Sequence, residues 1–143
     1  MWVELNRTVL LTALSARETE KLGSVATGES QDDVLRDVAT NVANEWRSGI
    51  RRHATLDVRA NYVPNELLSH ILADYRYRAF TRIPGMAALL DELRVEEWRR
   101  ANTVRDNLSK VSIEPPDEEH ATPTASSGRP QPSISAPESS ILG

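Results

Sequence analysis

Residues 30–52 read SQDDVLRDVATNVANEWRSGIRR, and the spacing of their apolar members decides the fold class. Val34, Leu35, Val38, Val42, Trp46 and Ile50 recur mostly at intervals of three and four, with Ala39 and Ala43 between them. That period lays one apolar stripe along a helix of about 20 residues. Ser30 and Asp33 stand where a cap and a first-turn acid favour a helix start, and Asp37, Glu45, Arg47 and Arg51 fall mostly on the other faces. A helix with one apolar stripe must bury it, so the flanking sequence has to supply partners.

On the N-terminal side, Val9, Leu10 and Leu14 suggest a short helix after Asn6, and Ser15 with Glu18 three residues on has capping-box spacing for a second helix ending near Gly23 or Gly28. On the C-terminal side, His53 to Val63 shows no period. Pro64 then stands where a first helical residue tolerates a missing N–H, followed by the stripe Leu67, Leu68, Ile71, Leu72, Tyr75 and Ala79. Ile83-Pro84-Gly85 breaks that helix. A last helix is expected from Met86 to Val111, with Leu89, Leu90, Leu93, Val104 and Leu108 facing the core. No segment gives a convincing alternating strand pattern. The expected fold class is all-α: an antiparallel helical bundle of about four main helices with a short N-terminal helix and an extended C-terminal tail.

Composition divides the 143 residues at position 111. Residues 112–143 hold six of the eight prolines and seven serines, and they carry the whole net charge of −4. They read as a Pro/Ser-rich acidic arm, disordered alone because so little apolar surface cannot offset the entropy of ordering. The body, 1–111, has 16 acidic and 16 basic residues, which argues against a broad basic face for reading duplex DNA. The absence of cysteine excludes disulfides, thiolate catalysis and cysteine-ligated metals. No apolar run approaches a membrane span, and Val9 to Ala16 is a poor signal segment because Thr12 interrupts it and Glu4 cancels Arg7.

Chemistry-bearing patterns are sparse. Glu66, His70 and Asp74 fall at i, i+4 and i+8, a spacing that puts two carboxylates and an imidazole on one helix face within reach of a divalent cation. The preferred account is a solvated polar stripe continued by Arg78. No nucleophile elbow, phosphate loop, zinc-protease or calcium-loop pattern occurs. The pairs Asp32/Asp33 and Glu96/Glu97 point to different sides of their helices rather than converging on a substrate. The expectation is a protein that is not an enzyme, with no catalytic or metal residues and no cofactor.

Arginine outnumbers lysine 15 to 2. A GC-rich genome accounts for such a ratio, and so does interface work, since guanidinium groups form planar bidentate pairs and are enriched where proteins meet. Arg76, Arg78 and Arg82 interleave with Tyr75, Tyr77 and Phe80 and are taken as partner-binding candidates; Arg94, Arg99 and Arg100 flank Trp98. Trp98 is expected in the core. Trp2, close to a terminus, is expected at an interface instead.

The order of these features resembles the small helical head-tail connector (adaptor, or head completion) proteins of tailed bacteriophages. The likeness rests on the Ser15 to Glu18 helix start, the long helix Asp32 to Arg52, Val63-Pro64-Asn65-Glu66-Leu67-Leu68, and a closing stretch. That stretch is Leu90-Asp91-Glu92-Leu93-Arg94, Trp98, Ala101, Leu108, Val111 and Ile113-Glu114-Pro115-Pro116. Ser112 stands where the family often has glycine. The resemblance implies a homo-oligomeric, dodecameric ring on the portal protein that extends the DNA channel and receives a stopper or tail-completion protein. It implies no sequence-specific DNA binding and no membrane, and it places the protein in the virion neck after assembly in the bacterial cytoplasm. It further implies an arm, 112–143, that orders on assembly through Ile113, Ile134, Ile141 and Leu142. The other reading of the residues is a small helical regulatory module that binds a protein partner and is tuned by its acidic tail.

Overall fold

The computed structural model describes residues 1–25 and 31–122. In chain order these form β1 (Trp2–Glu4), α1 (Arg7–Thr12), α2 (Ala16–Ser24), α3 (Gln31–Ile50), β2 (Tyr62–Pro64), α4 (Leu68–Arg82) and α5 (Glu92–Asp106). Single 3-10 turns stand at Asn65–Leu67, Ala87–Leu89, Leu108–Lys110 and Glu118–His120. The fold is all-α, with one two-stranded ribbon among the described residues.

The α3 stripe is buried at each of the six positions that define it. Helix starts follow local chemistry. The Asn6 side chain accepts from the Val9 N–H, and Ser15 and Glu18 satisfy each other's backbone donors in a complete capping box. The α4 residues Asp74, Arg78 and Arg82 contact Trp46, Glu45 and Asp37 in falling order along α3, so α3 and α4 run antiparallel. Asp74 likewise meets Arg105 while Tyr77 meets Trp98, so α4 and α5 run antiparallel too. No described helix is long and apolar enough to cross a membrane.

Three expectations need correction. The last helix does not run from Met86 to Val111. Gly85 sits at φ +88°, the Asp91 carboxylate caps the Arg94 N–H, and the chain unwinds at Asn107, leaving Glu92–Asp106. Leu93, expected in the core, is 64% exposed, and Ala101 is the one residue of α5 that is fully buried.

Trp2 is also misplaced by the sequence reading, being 5% exposed and part of the core. Strand β1 pairs antiparallel with β2 in the register Trp2↔Pro64, Val3↔Val63 and Glu4↔Tyr62, and the Trp2 indole N–H donates to the Glu114 carbonyl at 2.9 Å. Three residues are too few for alternation to show in a sequence.

The third correction concerns the boundary at 111, which falls too early. Residues 112–122 lie against the body: Glu114 N–H donates to the Glu66 carboxylate, Val58 N–H to the His120 carbonyl at 2.7 Å, and Thr122 N–H to the Leu56 carbonyl at 2.9 Å. Ile113 packs on the core, and Asp57 bridges Ala121 as an isolated β pair. Ile134, Ile141 and Leu142 lie outside the described residues.

Candidate functional site

The most elaborate chemistry in the fold centres on Asp74, whose side chain is wholly buried where α3, α4 and α5 meet. A buried carboxylate is costly unless its oxygens are saturated with donors. Here four side chains converge on it. The Trp46 indole donates to Oδ2 at 3.0 Å and the Trp98 indole to Oδ1 at 3.1 Å. Arg78 Nε donates to Oδ1 at 2.9 Å, and Arg105 stands 3.4 Å from Oδ2.

Glu45 closes the set from α3. It takes a fork from Arg78 at 2.6 and 2.8 Å and lies 3.3 Å from Arg105. Two carboxylates thus face two guanidiniums, and the group is neutral as a whole. Hydrogen bonds from Arg78 hold the Glu45 carboxyl below its ordinary range, and the Glu45 bonds in turn push Arg78 upward. Tyr77 stacks on Trp98, with centroids 4.0 Å apart and planes 8° from parallel, covering the outer edge.

A second group ties α2 and the end of α1 to α4 and α5. Glu18, 4% exposed, takes a fork from Arg94 at 2.6 and 3.0 Å, and Glu97 accepts from Arg94 at 2.9 Å and from Arg76 at 3.0 Å. Arg76 also donates to the Ala13 carbonyl at 3.0 Å. Burial pushes Glu18 up, but hydrogen bonds from Arg94 and the Ser15 N–H, with the charges of Arg94 and Arg76, outweigh it and leave the carboxyl below its ordinary range. Asp57, also fully buried, is forked by Arg59, which lies over the Tyr62 ring at 3.8 Å.

This geometry reassigns the residues expected to meet a partner. Arg76 is 5% exposed and spent on internal contacts, and Arg78 is the brace of the Asp74 group. Arg82 is half exposed and stands 3.7 Å from Asp37. The interleaved aromatics are likewise internal: Phe80 is buried, and the buried Tyr75 hydroxyl donates to the Leu35 carbonyl at 2.9 Å, burial pushing its pKa up to about 12.

Nor are Glu66, His70 and Asp74 brought together around a cation. Glu66 sits on the 3-10 turn before α4 and accepts from Glu114, while Asp74 faces inward, so the solvated-stripe reading fails at Asp74 as well. Among the described residues no group of three or more His, Cys, Asp or Glu could hold a metal ion. Carboxyls held low by guanidinium partners are poorly matched to proton transfer near neutrality, whereas they fix helix positions well. Comparison with protein-family models, curated proteins and solved structures finds no match for this chain.

Proposed function

We propose that this protein is a non-enzymatic assembly subunit of the head-tail connector kind, which rings a phage portal, extends its DNA channel and receives a stopper or tail protein. The observation that carries the reading is the strap formed by residues 112–122. It crosses from the chain start at Met1 and Trp2 and the 3-10 turn at Glu66 to the loop at Leu56–Val58, so the Pro/Ser-rich sequence after 122 follows a fixed point on a cross-braced body. A subunit built this way presents a body that changes little on docking and a terminal extension that adds contacts with a partner. The braced seams support the same reading, since they place arginine–carboxylate chemistry inside the subunit as reinforcement. The test is electron microscopy of the full chain mixed with the portal protein of the same phage or prophage. The expected result is ring density on the portal vertex, weakened when the chain stops at residue 122. Failure of the full chain to bind that portal overturns the reading.

A further inference from the structure

At the C-terminal end of α3 the chain forms an open cleft of ≈ 750 Å³ whose lining includes Arg47, Arg51, Arg52, His53, Thr55 and Thr122 and, among the described residues, no carboxylate. The near-neutral charge sum of the body hides this concentration, because most of the other arginines face an acid. Arg7, Arg36, Arg59, Arg76, Arg78 and Arg94 are examples, each within 3.2 Å of a carboxylate oxygen. Arg51 and Arg52 are exposed and make no ion pair among the described residues.

Arg47 deepens the imbalance. Its guanidinium donates at 2.7 Å to the carbonyls of Asp57 and Tyr62, which hold it in place, while the Asp57 carboxylate is paired with Arg59 and compensates Arg47 in part, without a direct ion pair. Burial presses hardest against the Arg47 cation, the charge of Asp57 offsets part of that and the charge of Arg51 adds to it, so the cation stays disfavoured and an anion in the cleft would relieve the cost. Helix C-termini ordinarily repel anions through unpaired carbonyls. Here the turn that follows α3 satisfies several of them: Arg51, Arg52, His53 and Ala54 N–H groups return to the carbonyls of Arg47, Gly49 and Ile50.

We infer that this cleft is a binding site for successive phosphate groups. Arginine favours phosphate because its planar fork matches two oxygens at once; Arg51 and Arg52 bring two such forks to one concavity and Arg47, held by carbonyls, adds a fixed positive charge beside them, which suits several linked phosphates better than a single one. Among the described lining residues there is no Phe, Tyr or Trp, and the ring present is the His53 imidazole, so recognition rests on the phosphate chain with little regard to sequence. Such a chain comes either from a nucleic-acid strand or from free polyphosphate.

The test uses the full-length protein with two probes, inorganic tripolyphosphate and a fluorescent single-stranded oligothymidylate. Variants are Arg51→Ala with Arg52→Ala, and a charge-matched control on α5, Arg99→Ala with Arg100→Ala. The cleft variant is expected to weaken binding of at least one probe about tenfold or more, and the control by less than about twofold. Binding of the oligonucleotide that tripolyphosphate displaces only weakly identifies a strand as the source, and preference for tripolyphosphate identifies free polyphosphate. The proposal is overturned if the unaltered chain binds neither probe, if both variants lose affinity equally, or if oligoglutamate of equal charge displaces the probes as well as phosphate does.

Discussion

At the scale of single residues, Asp74 is where one atom group supports the most structure. Asn at this position would keep the shape but offer one acceptor oxygen where two Trp N–H groups and two guanidiniums now converge. Asp74→Asn is therefore expected to destabilise the fold by about 3–5 kcal/mol, as when one partner of a buried ion pair is removed. Urea unfolding read by Trp46 and Trp98 fluorescence checks this, and a loss below 1 kcal/mol would show the group to be no stronger than a surface pair. Glu18, Glu45 and Asp57 carry a pH signature. Each has a folded-state pKa below its ordinary value of 4.5, 4.5 or 3.8, so its contribution is complete above that value and is lost as pH falls through the folded one. The urea midpoint should stay level from neutrality to about pH 5 and drop below it. Arg94→Met should shrink that acid slope, because burial would then act on Glu18 with its main partner gone. The sequence shows Asp74 one position before Tyr75 of the apolar stripe, but its partners come from positions 46, 98 and 105, and a single sequence holds no record of such pairings.

Elements were legible in proportion to how much of their face is buried. Helix α3 has eight buried residues on one stripe, and its period can be read directly, as can the capping box that starts α2. Helix α5 buries Ala101 alone and rests on α4 largely through half-buried side chains and the two ion-pair groups, so its apolar pattern does not mark the inner face and Leu93 is exposed. What bounds α5 is polar and conformational instead. Gly85 lies in the left-handed region, where a Cβ strains the backbone whatever the space around it. Gly85→Ala should cost about 1 kcal/mol in thermal or urea unfolding. Ser15→Ala removes one side of the capping box and should cost about 1 kcal/mol. It removes the bond from the Glu18 N–H to Ser15 Oγ but leaves the backbone N–H of residue 15 that holds the Glu18 carboxylate toward Arg94, so the Glu18–Arg94 pair should persist. The two losses should add, because the sites share no partner, and a clear departure from additivity would reveal coupling through the α2 C-terminus.

For the whole molecule, the question is where the folded unit ends. Composition put the division at 111, since proline, serine and negative charge all rise together there, and composition cannot register a segment held by a few backbone bonds. Residues 112–122 supply the Glu114 carbonyl for the Trp2 indole, the Glu114 N–H for Glu66, the His120 carbonyl for Val58 and the Thr122 N–H for Leu56. Each such bond contributes about 0.5–1.5 kcal/mol net, so losing four should remove about 2–6 kcal/mol. Two truncations separate the possibilities. A chain ending at 122 should match the full chain in urea midpoint, whereas a chain ending at 111 should unfold at clearly lower urea and show faster amide exchange at Val3, Val58 and Val63. Equal stability of both truncations would place the strap outside the cooperative unit and remove the fixed exit point on which the assembly reading depends. A loss confined to the shorter chain, with portal binding already weakened in the longer one, would divide the sequence after 111 into two parts. One is a strap that completes the fold, and the other is an extension from 123 onward that serves the partner.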